Sequence, residues 1–215
     1  PFLVREEKIL IMAMESEDMN QITSAIIQII SDCLLAKDIK VESLATFDME
    51  YLFLNIRAKS VGETVEVNVT CPDDGETQVE MSINIDDIKV KKTRGHKNIV
   101  KLDDNLSMKL KYPSLDQFIE NNFDTGESSN EISQSLSMIT SCIEMVYNEE
   151  ESWEASDCTT EELNDFVEQM NTKQFKQIEN FFTTMPKLSH KIAVKNPKTG
   201  VESEVFLEGL AAFFN

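Results

Sequence analysis

Two five-residue segments, CPDDG at 71–75 and NPKTG at 196–200, share the proline and glycine positions of a zinc knuckle. In the knuckle pattern Cys-Pro-X-Cys-Gly, each of two hairpins supplies two thiolates to a tetrahedral zinc ion. Here Cys71 occupies one ligand position, and the other three hold Asp74, Asn196 and Thr199. Because asparagine and threonine rarely bind zinc, we predict no bound zinc. The two segments are then either a metal-free relic of a zinc ribbon or ordinary hairpin turns.

The other residues that could do nucleophilic or metal chemistry are scattered along the chain. His96 and His190 lie in no recognisable nucleophile or metal motif, and the glycines form no phosphate-binding loop. The cysteines show no paired spacing, which favours reduced thiols. They are Cys33, Cys71, Cys142 and Cys158. The sequence therefore predicts a protein without catalytic activity, cofactor or structural metal.

The chain is strongly acidic, since 39 Asp and Glu residues against 20 Lys and Arg residues give a formal net charge of -19. Such a field repels polyanions, so we expect neither a nucleic acid nor a membrane as partner. No apolar run reaches the roughly 18 residues that a membrane-spanning helix needs. The basic segment 89–97, KVKKTRGHK, is the exception. It fits either a grip on an acidic partner or a phosphate, or a solvated linker or edge strand.

The segment Thr46–Thr70 predicts the element around which the fold is organised. Apolar residues at helical spacing indicate a helix over Thr46–Lys59, with Phe53 and Ile56 on its central stripe. Gly62 follows the helix as a structural turn, and alternating valines then predict a strand. We therefore expect this helix to be the main core element.

The remaining periodicity predicts an α+β fold that is mainly helical, with three β-hairpins, two of which resemble degenerate zinc-ribbon knuckles. Besides Gly62, the structural turns are Cys71, Gly75 and Gly200. A linker-like segment at 124–130 suggests two domains, 1–125 and 126–215, which could also pack as one. Further helices are predicted at 5–17, 19–36, 114–123, 131–147, 159–170 and 172–185, and hairpins at 63–84, 98–112 and 191–207.

Apolar residues near the C-terminus are candidates for binding another protein. One group is the aromatic face of the helix at 172–185, and the other is the hydrophobic end of the chain. The alternative is that both groups pack into the protein's own core. The candidates are Phe175, Phe181, Phe182, Leu210, Phe213 and Phe214.

Three segments carry a family resemblance. The run Tyr51–Glu63, YLFLNIRAKSVGE, together with the opening Pro1–Leu10 and the closing Leu207–Phe214, resembles the baseplate hub assembly proteins of T4-like tailed phages. The resemblance touches both ends and the middle of the chain. It implies a protein that acts with other phage tail proteins and carries out no catalysis.

The resemblance also suggests where such a protein acts and on what. It implies a factor of tail morphogenesis in the host cytoplasm, which assembles the baseplate hub and chaperones a hub component or the tape-measure protein. The alternative is a permanent structural subunit of the baseplate hub in the virion. The sequence leaves the oligomeric state undetermined.

Overall fold

The computed structural model describes residues 2–16, 19–36, 38–114 and 131–213. Helical periodicity and alternating strands produce six α-helices and nine β-strands within these ranges, which confirms the α+β class. The helices are α1 (Val4–Glu15), α2 (Met19–Cys33), α3 (Thr46–Ser60), α4 (Glu131–Ser141), α5 (Thr160–Glu168) and α6 (Thr172–Thr184). The strands are β1 (Thr64–Thr70), β2 (Gln78–Asn84), β3 (Lys89–Lys91), β4 (Ile99–Lys101), β5 (Ser107–Leu110), β6 (Ile143–Tyr147), β7 (Ser152–Glu154), β8 (Lys187–Lys195) and β9 (Glu202–Glu208).

All strand pairs are antiparallel, and the three predicted hairpins are confirmed as β1–β2, β4–β5 and β8–β9. The sheets have the orders β1-β2, β3-β8-β9 and β4-β5-β6-β7. Among the described strands, β3 pairs only with β8 and therefore lies at a sheet edge, one of the two structures expected for the start of the basic segment. None of the helices in the described ranges combines the length and the apolar character that crossing a bilayer requires.

Contacts divide the chain into two compact units, one formed by Pro1–Lys91 with Pro186–Asn215 and the other by Lys92–Met185. The first unit thus takes the last hairpin of the chain, β8–β9, together with the N-terminal elements. The predicted domain boundary after residue 125 and the predicted helix at 114–123 fall largely on residues 115–130, which lie outside the described residues. That boundary therefore stays a prediction.

Helix α3 organises the first unit by burying more than one of its faces. Leu54 and Ala58 belong to the core cluster that also contains the inward valines of β1 and Leu188 and Ile192 of β8. Phe53 is only 2% exposed although it is not part of that cluster, and α3 also contacts α2. The predicted central position of this helix is confirmed by this packing.

The second unit corrects the prediction of one helix over 131–147. Helix α4 ends at Ser141, and Ile143–Tyr147 form β6, which pairs with β5 and β7. The register of β5 and β6 shifts between Lys109 and Leu110, so β6 carries a bulge. The bulge leaves Ile143 and Val146 both buried, three residues apart. This spacing imitates a helical stripe, because a regular strand would bury every second residue.

Candidate functional site

The two knuckle-like segments form the turns at the tips of the hairpins β1–β2 and β8–β9. In each turn the glycine N–H donates to the carbonyl of the first residue, Gly75 to Cys71 at 2.9 Å and Gly200 to Asn196 at 2.8 Å. Both glycines have positive φ angles, 70° at Gly75 and 77° at Gly200. The predicted role of these glycines as turn residues is confirmed. Gly62, which follows the C-cap residue Val61 of α3, also has a positive φ angle, of 149°.

Replacing Gly75 or Gly200 by alanine is expected to destabilise the protein by about 1 kcal/mol each, because a Cβ strains a backbone with positive φ. An added Cβ meets no atom within 4 Å at either position, so the cost comes from the backbone alone. Asparagine tolerates this conformation better, and Gly200→Asn is therefore expected to lose less stability than Gly200→Ala. Urea unfolding checks both changes. Equal losses for alanine and asparagine would contradict this explanation.

Side chains join the two hairpin tips through hydrogen bonds. Asn196 Nδ2 donates to Asp73 Oδ1 and Oδ2, at 3.1 Å each, and to Asp74 Oδ2 at 2.9 Å. Thr199 Oγ1 donates to Asp73 Oδ2, and Thr77 Oγ1 donates to Asp74 Oδ2, both at 2.5 Å. Asn196 is fully buried although Asp73 and Asp74 are exposed. We call Asp73, Asp74, Thr77, Asn196 and Thr199 the tip network.

Three residues of the tip network, Asp74, Asn196 and Thr199, occupy three of the four positions that would hold metal ligands in a pair of zinc knuckles. The fourth, Cys71, is fully buried, and its burial, together with the charges of Asp73 and Asp74, raises the pKa of its thiol. A thiol that keeps its proton is a poor metal ligand. Within the described ranges, no three His, Cys, Asp or Glu side chains are grouped so that they could hold a metal ion. The relation of the two turns to a zinc ribbon stays a prediction.

Metal analysis of the purified protein is expected to find zinc well below one atom per chain. Cys71 alone cannot close a four-ligand site, and Asn196 already donates its amide hydrogens to two carboxylates. Stoichiometric zinc that is lost in Cys71→Ser would show that the turns bind metal. The Cys158→Ser variant, at a half-buried cysteine of the other unit, is the control.

The tip network is also expected to make stability sensitive to acid. Hydrogen bonds from Thr199 and Asn196 lower the pKa of Asp73, and those from Thr77 and Asn196 lower the pKa of Asp74, both from 3.8. Groups with a lowered folded pKa stabilise the protein fully above their unfolded pKa and lose that effect as pH falls through the folded pKa. The stabilising effect should therefore begin to decrease below about pH 4 and be lost only at still lower pH. Unfolding measured against pH should show a smaller acid loss in Asp73→Asn/Asp74→Asn; an unchanged profile would contradict the prediction.

The second unit contains a surface cleft of about 310 Å³, between the basic segment with strand β4 and helix α6. Its cations come from the basic segment and β4, its amides come from α6, and its floor includes Val100 and Phe181, which are 7% and 2% exposed. We call it the basic cleft. Its lining residues are Arg94, Gly95, His96, Lys97, Ile99, Val100, Lys101, Gln177, Asn180, Phe181 and Thr184.

His96 ties the basic segment to α6 at the base of this cleft. Thr184 Oγ1 donates its hydrogen to the Asn180 carbonyl at 2.6 Å, so its oxygen accepts from His96 Nδ1–H at 2.9 Å. His96 Nε2 then accepts from the Tyr112 hydroxyl at 3.1 Å. Burial, and the charge of Lys92, lower the pKa of His96, so the ring is neutral at pH 7. The ring also lies 5.1 Å from the Phe181 ring, which fixes its position.

The comparisons with known proteins identify the family. A family model described as T4 bacteriophage base plate protein matches residues 1–215, the whole chain. The chain belongs to this family. The resemblance read from Tyr51–Glu63 and from the two ends is thereby confirmed at the level of a phage baseplate-related protein. No curated protein and no solved structure matches the chain.

In this baseplate protein, the apolar candidates for partner binding lie mostly inside its own two units. Phe213 is fully buried in the core that contains Leu54, and Leu210 packs against the same cluster. Phe181 is 2% exposed in the core of the second unit, where Phe175 and Phe182 are half-buried. Phe181 and Phe213 thus pack into the core of their own chain. Partner binding by the half-buried Phe175, Phe182 and Leu210 stays a prediction, and Phe214 lies outside the described residues.

A half-buried carboxylate of the baseplate protein holds the segment 210–213 in place. Glu50 Oε1, on α3, accepts a hydrogen bond from the Leu210 N–H at 3.0 Å. Burial raises the pKa of Glu50, and this hydrogen bond opposes the rise. Leu210 and Phe213 are therefore fixed against α3 by a polar contact as well as by apolar packing.

The sequence pattern did not predict the polar wall of the basic cleft. Gln177, Asn180 and Thr184 lie at i, i+3 and i+7 on α6, a helical stripe beside the buried Ile178 and Phe181. Periodicity alone shows such a stripe only as a solvated face. Its pairing with the basic segment depends on the contact of α6 with β4, which no local pattern predicts.

Proposed function

We propose that this chain is a non-catalytic factor of phage tail morphogenesis, which assembles the baseplate hub in the host cytoplasm and chaperones a hub component or the tape-measure protein. The family match over residues 1–215 is the observation that carries the proposal. A baseplate is built by protein-protein association, so a family member needs surfaces for other tail proteins more than a reaction centre.

Exposed apolar residues on α1 supply a surface of this kind. Val4, Ile11 and Met12 are 79%, 50% and 58% exposed, and they lie at i, i+7 and i+8 on one face of the helix. Leu3, directly before α1, is 69% exposed. Apolar anchors give lasting affinity, whereas exposed charges are screened by salt within about 8 to 10 Å. We therefore propose that α1 contributes apolar contacts to a hub or tape-measure protein.

Infection with a phage that carries a stop codon in this gene tests the function. We expect tube and sheath proteins to accumulate without complete baseplates, and complementation with the wild-type chain to restore assembly. Complementation with Ile11→Gln/Met12→Gln should restore less, because these changes remove two exposed anchors without emptying the core. The control Val201→Gln/Phe206→Gln removes exposed apolar side chains from the β8–β9 hairpin. Normal baseplates without the chain would exclude the proposed role.

The second candidate function is that of a permanent subunit of the baseplate hub in the virion. The same family match favours it, because the family is described as a base plate protein. Quantitative mass spectrometry of purified particles and of infected lysate separates the two. A chaperone is expected to be abundant in the lysate and depleted from particles, whereas a subunit is expected in particles at a fixed ratio to other hub proteins.

A further inference from the structure

The basic cleft concentrates positive charge in a protein with a formal net charge of -19. Arg94, Lys97 and Lys101 all line it. No ion pair among the described residues includes Arg94 or Lys97, and Lys101 is paired only with the exposed Asp104, at 3.7 Å. Two of the three cations are thus available to an anionic partner without breaking an ion pair between described residues.

The opposite wall of the cleft adds neutral hydrogen-bond donors. Gln177 and Asn180 line the same cleft as the three cations, and their side-chain amides can donate hydrogen bonds. Guanidinium and amide groups both donate to carboxylate oxygens, and arginine can bind a carboxylate through two parallel bonds. The three cations and the amide-bearing wall of the basic cleft therefore match a ligand that carries several carboxylates.

The size and rigidity of the cleft limit the ligand further. Its volume of about 310 Å³ lies at the small end of ligand sites, which suits a few side chains better than a large cofactor. The floor is rigid because His96 is hydrogen-bonded to Thr184 and Tyr112 and lies against Phe181. These contacts of His96 hold the backbone of the loop that carries Arg94 and Lys97 in place before binding, which reduces the entropic cost of ordering the loop.

We infer that the basic cleft binds an acidic peptide segment, with Asp or Glu carboxylates held by Arg94 and Lys97 and by the amides of Gln177 and Asn180. A long polyanion such as nucleic acid is excluded because the strong negative charge of the whole chain repels it. A short acidic segment places only a few charges in the cleft and escapes most of that repulsion. The inference rests on the proposed function only in taking the segment from another tail protein.

Fluorescence anisotropy with a labelled hexaglutamate peptide tests the inference on the full chain, without any tail protein. We expect saturable binding that weakens as salt rises, and no binding of a labelled hexaserine peptide. The double variant Arg94→Gln/Lys97→Gln is expected to weaken hexaglutamate binding by about tenfold or more, because it removes the two cleft cations that form no ion pair with a described residue. Circular dichroism of each variant establishes that the fold is retained.

The matched control is Lys173→Gln/Lys176→Gln, which removes the same charge from exposed positions of α6 outside the cleft. It should change hexaglutamate binding less than about twofold. Equal weakening in the two double variants would show unspecific charge attraction and overturn the inference. Absence of hexaglutamate binding, displacement by inorganic phosphate at concentrations below the peptide's Kd, or tighter binding of a single-stranded oligonucleotide would also overturn it.

Discussion

Replacing Phe53 by alanine is expected to lower the free energy of unfolding by about 3 to 5 kcal/mol. Phe53 is 2% exposed on α3, the helix that contacts both α2 and strands of the first unit. Truncation of a buried aromatic ring removes its transfer free energy and leaves a cavity that the surrounding helices fill only in part. A loss of this size is a large share of the stability of a typical domain, so reduced soluble expression is also expected.

Circular dichroism during urea unfolding measures this loss. If Phe53→Ala does not yield folded protein, Phe53→Leu provides the measurement, with a smaller expected loss. Phe206→Ala is the control, because its ring is 59% exposed and the substitution should cost less than about 1 kcal/mol. Ile56 is only half-buried, so Ile56→Ala should cost less than Phe53→Ala. Equal stabilities of Phe53→Ala and Phe206→Ala would place α3 outside the core.

Replacing Asn196 by aspartate is expected to destabilise the protein by about 3 kcal/mol at neutral pH. The substitution keeps the shape of the side chain but exchanges its amide donor for a carboxylate oxygen. Asn196 Nδ2 lies 2.9 to 3.1 Å from carboxylate oxygens of Asp73 and Asp74. A buried carboxylate at this position would therefore face two others without a donor between them.

The pH dependence identifies the cause of this loss. A carboxyl group beside two carboxylates has a raised pKa in the folded state, so its destabilising effect grows as pH rises above the unfolded pKa. The stability of Asn196→Asp should therefore recover as pH falls from 8 towards 5. Asn196→Ala should be less stable than wild type without that recovery, and Asn68→Asp adds the same charge at an exposed position of β1. A flat profile for Asn196→Asp between pH 5 and 8 would contradict the proposed contacts.

Local patterns in the sequence were sufficient to predict most of the regular elements. Thr159 and Glu162 form a capping box at the start of α5, with Glu162 N–H donating to Thr159 Oγ1 at 3.2 Å. Gly75 and Gly200 have the positive φ angles that their turns need. These features depend on residues within one turn of each other, so they are visible without knowledge of the fold.

Features that depend on distant partners were not predictable in the same way. The bulged strand β6 has helical spacing and becomes a strand because β5 and β7 pair with it. The tip network joins residues more than 120 positions apart, such as Asn196 and Asp74, 122 residues apart. The burial of Phe213 similarly depends on the core built around α3. In each case a long-range contact decides between two structures that the local pattern permits.

The basic cleft and the exposed face of α1 also differ in what local patterns and long-range contacts each determine. The basic segment was visible as a charged run, but its partner wall on α6 was not, because Gln177 and Asn180 carry no local signal. The exposed face of α1 was predicted only as a helix with apolar residues on it. Which of these residues are buried depends on the contact between α1 and α2, and Ile11 and Met12 remain outside it.

The most direct test of the central claim is a binding measurement with purified tail proteins. The chain is mixed with the hub and tape-measure proteins of its own phage, and complexes are measured by size-exclusion chromatography with light scattering. We expect a complex of defined stoichiometry with at least one of them, which persists at high salt and is weakened by Ile11→Gln/Met12→Gln. Elution of the wild-type chain apart from every hub and tape-measure protein, at both low and high salt, would contradict it.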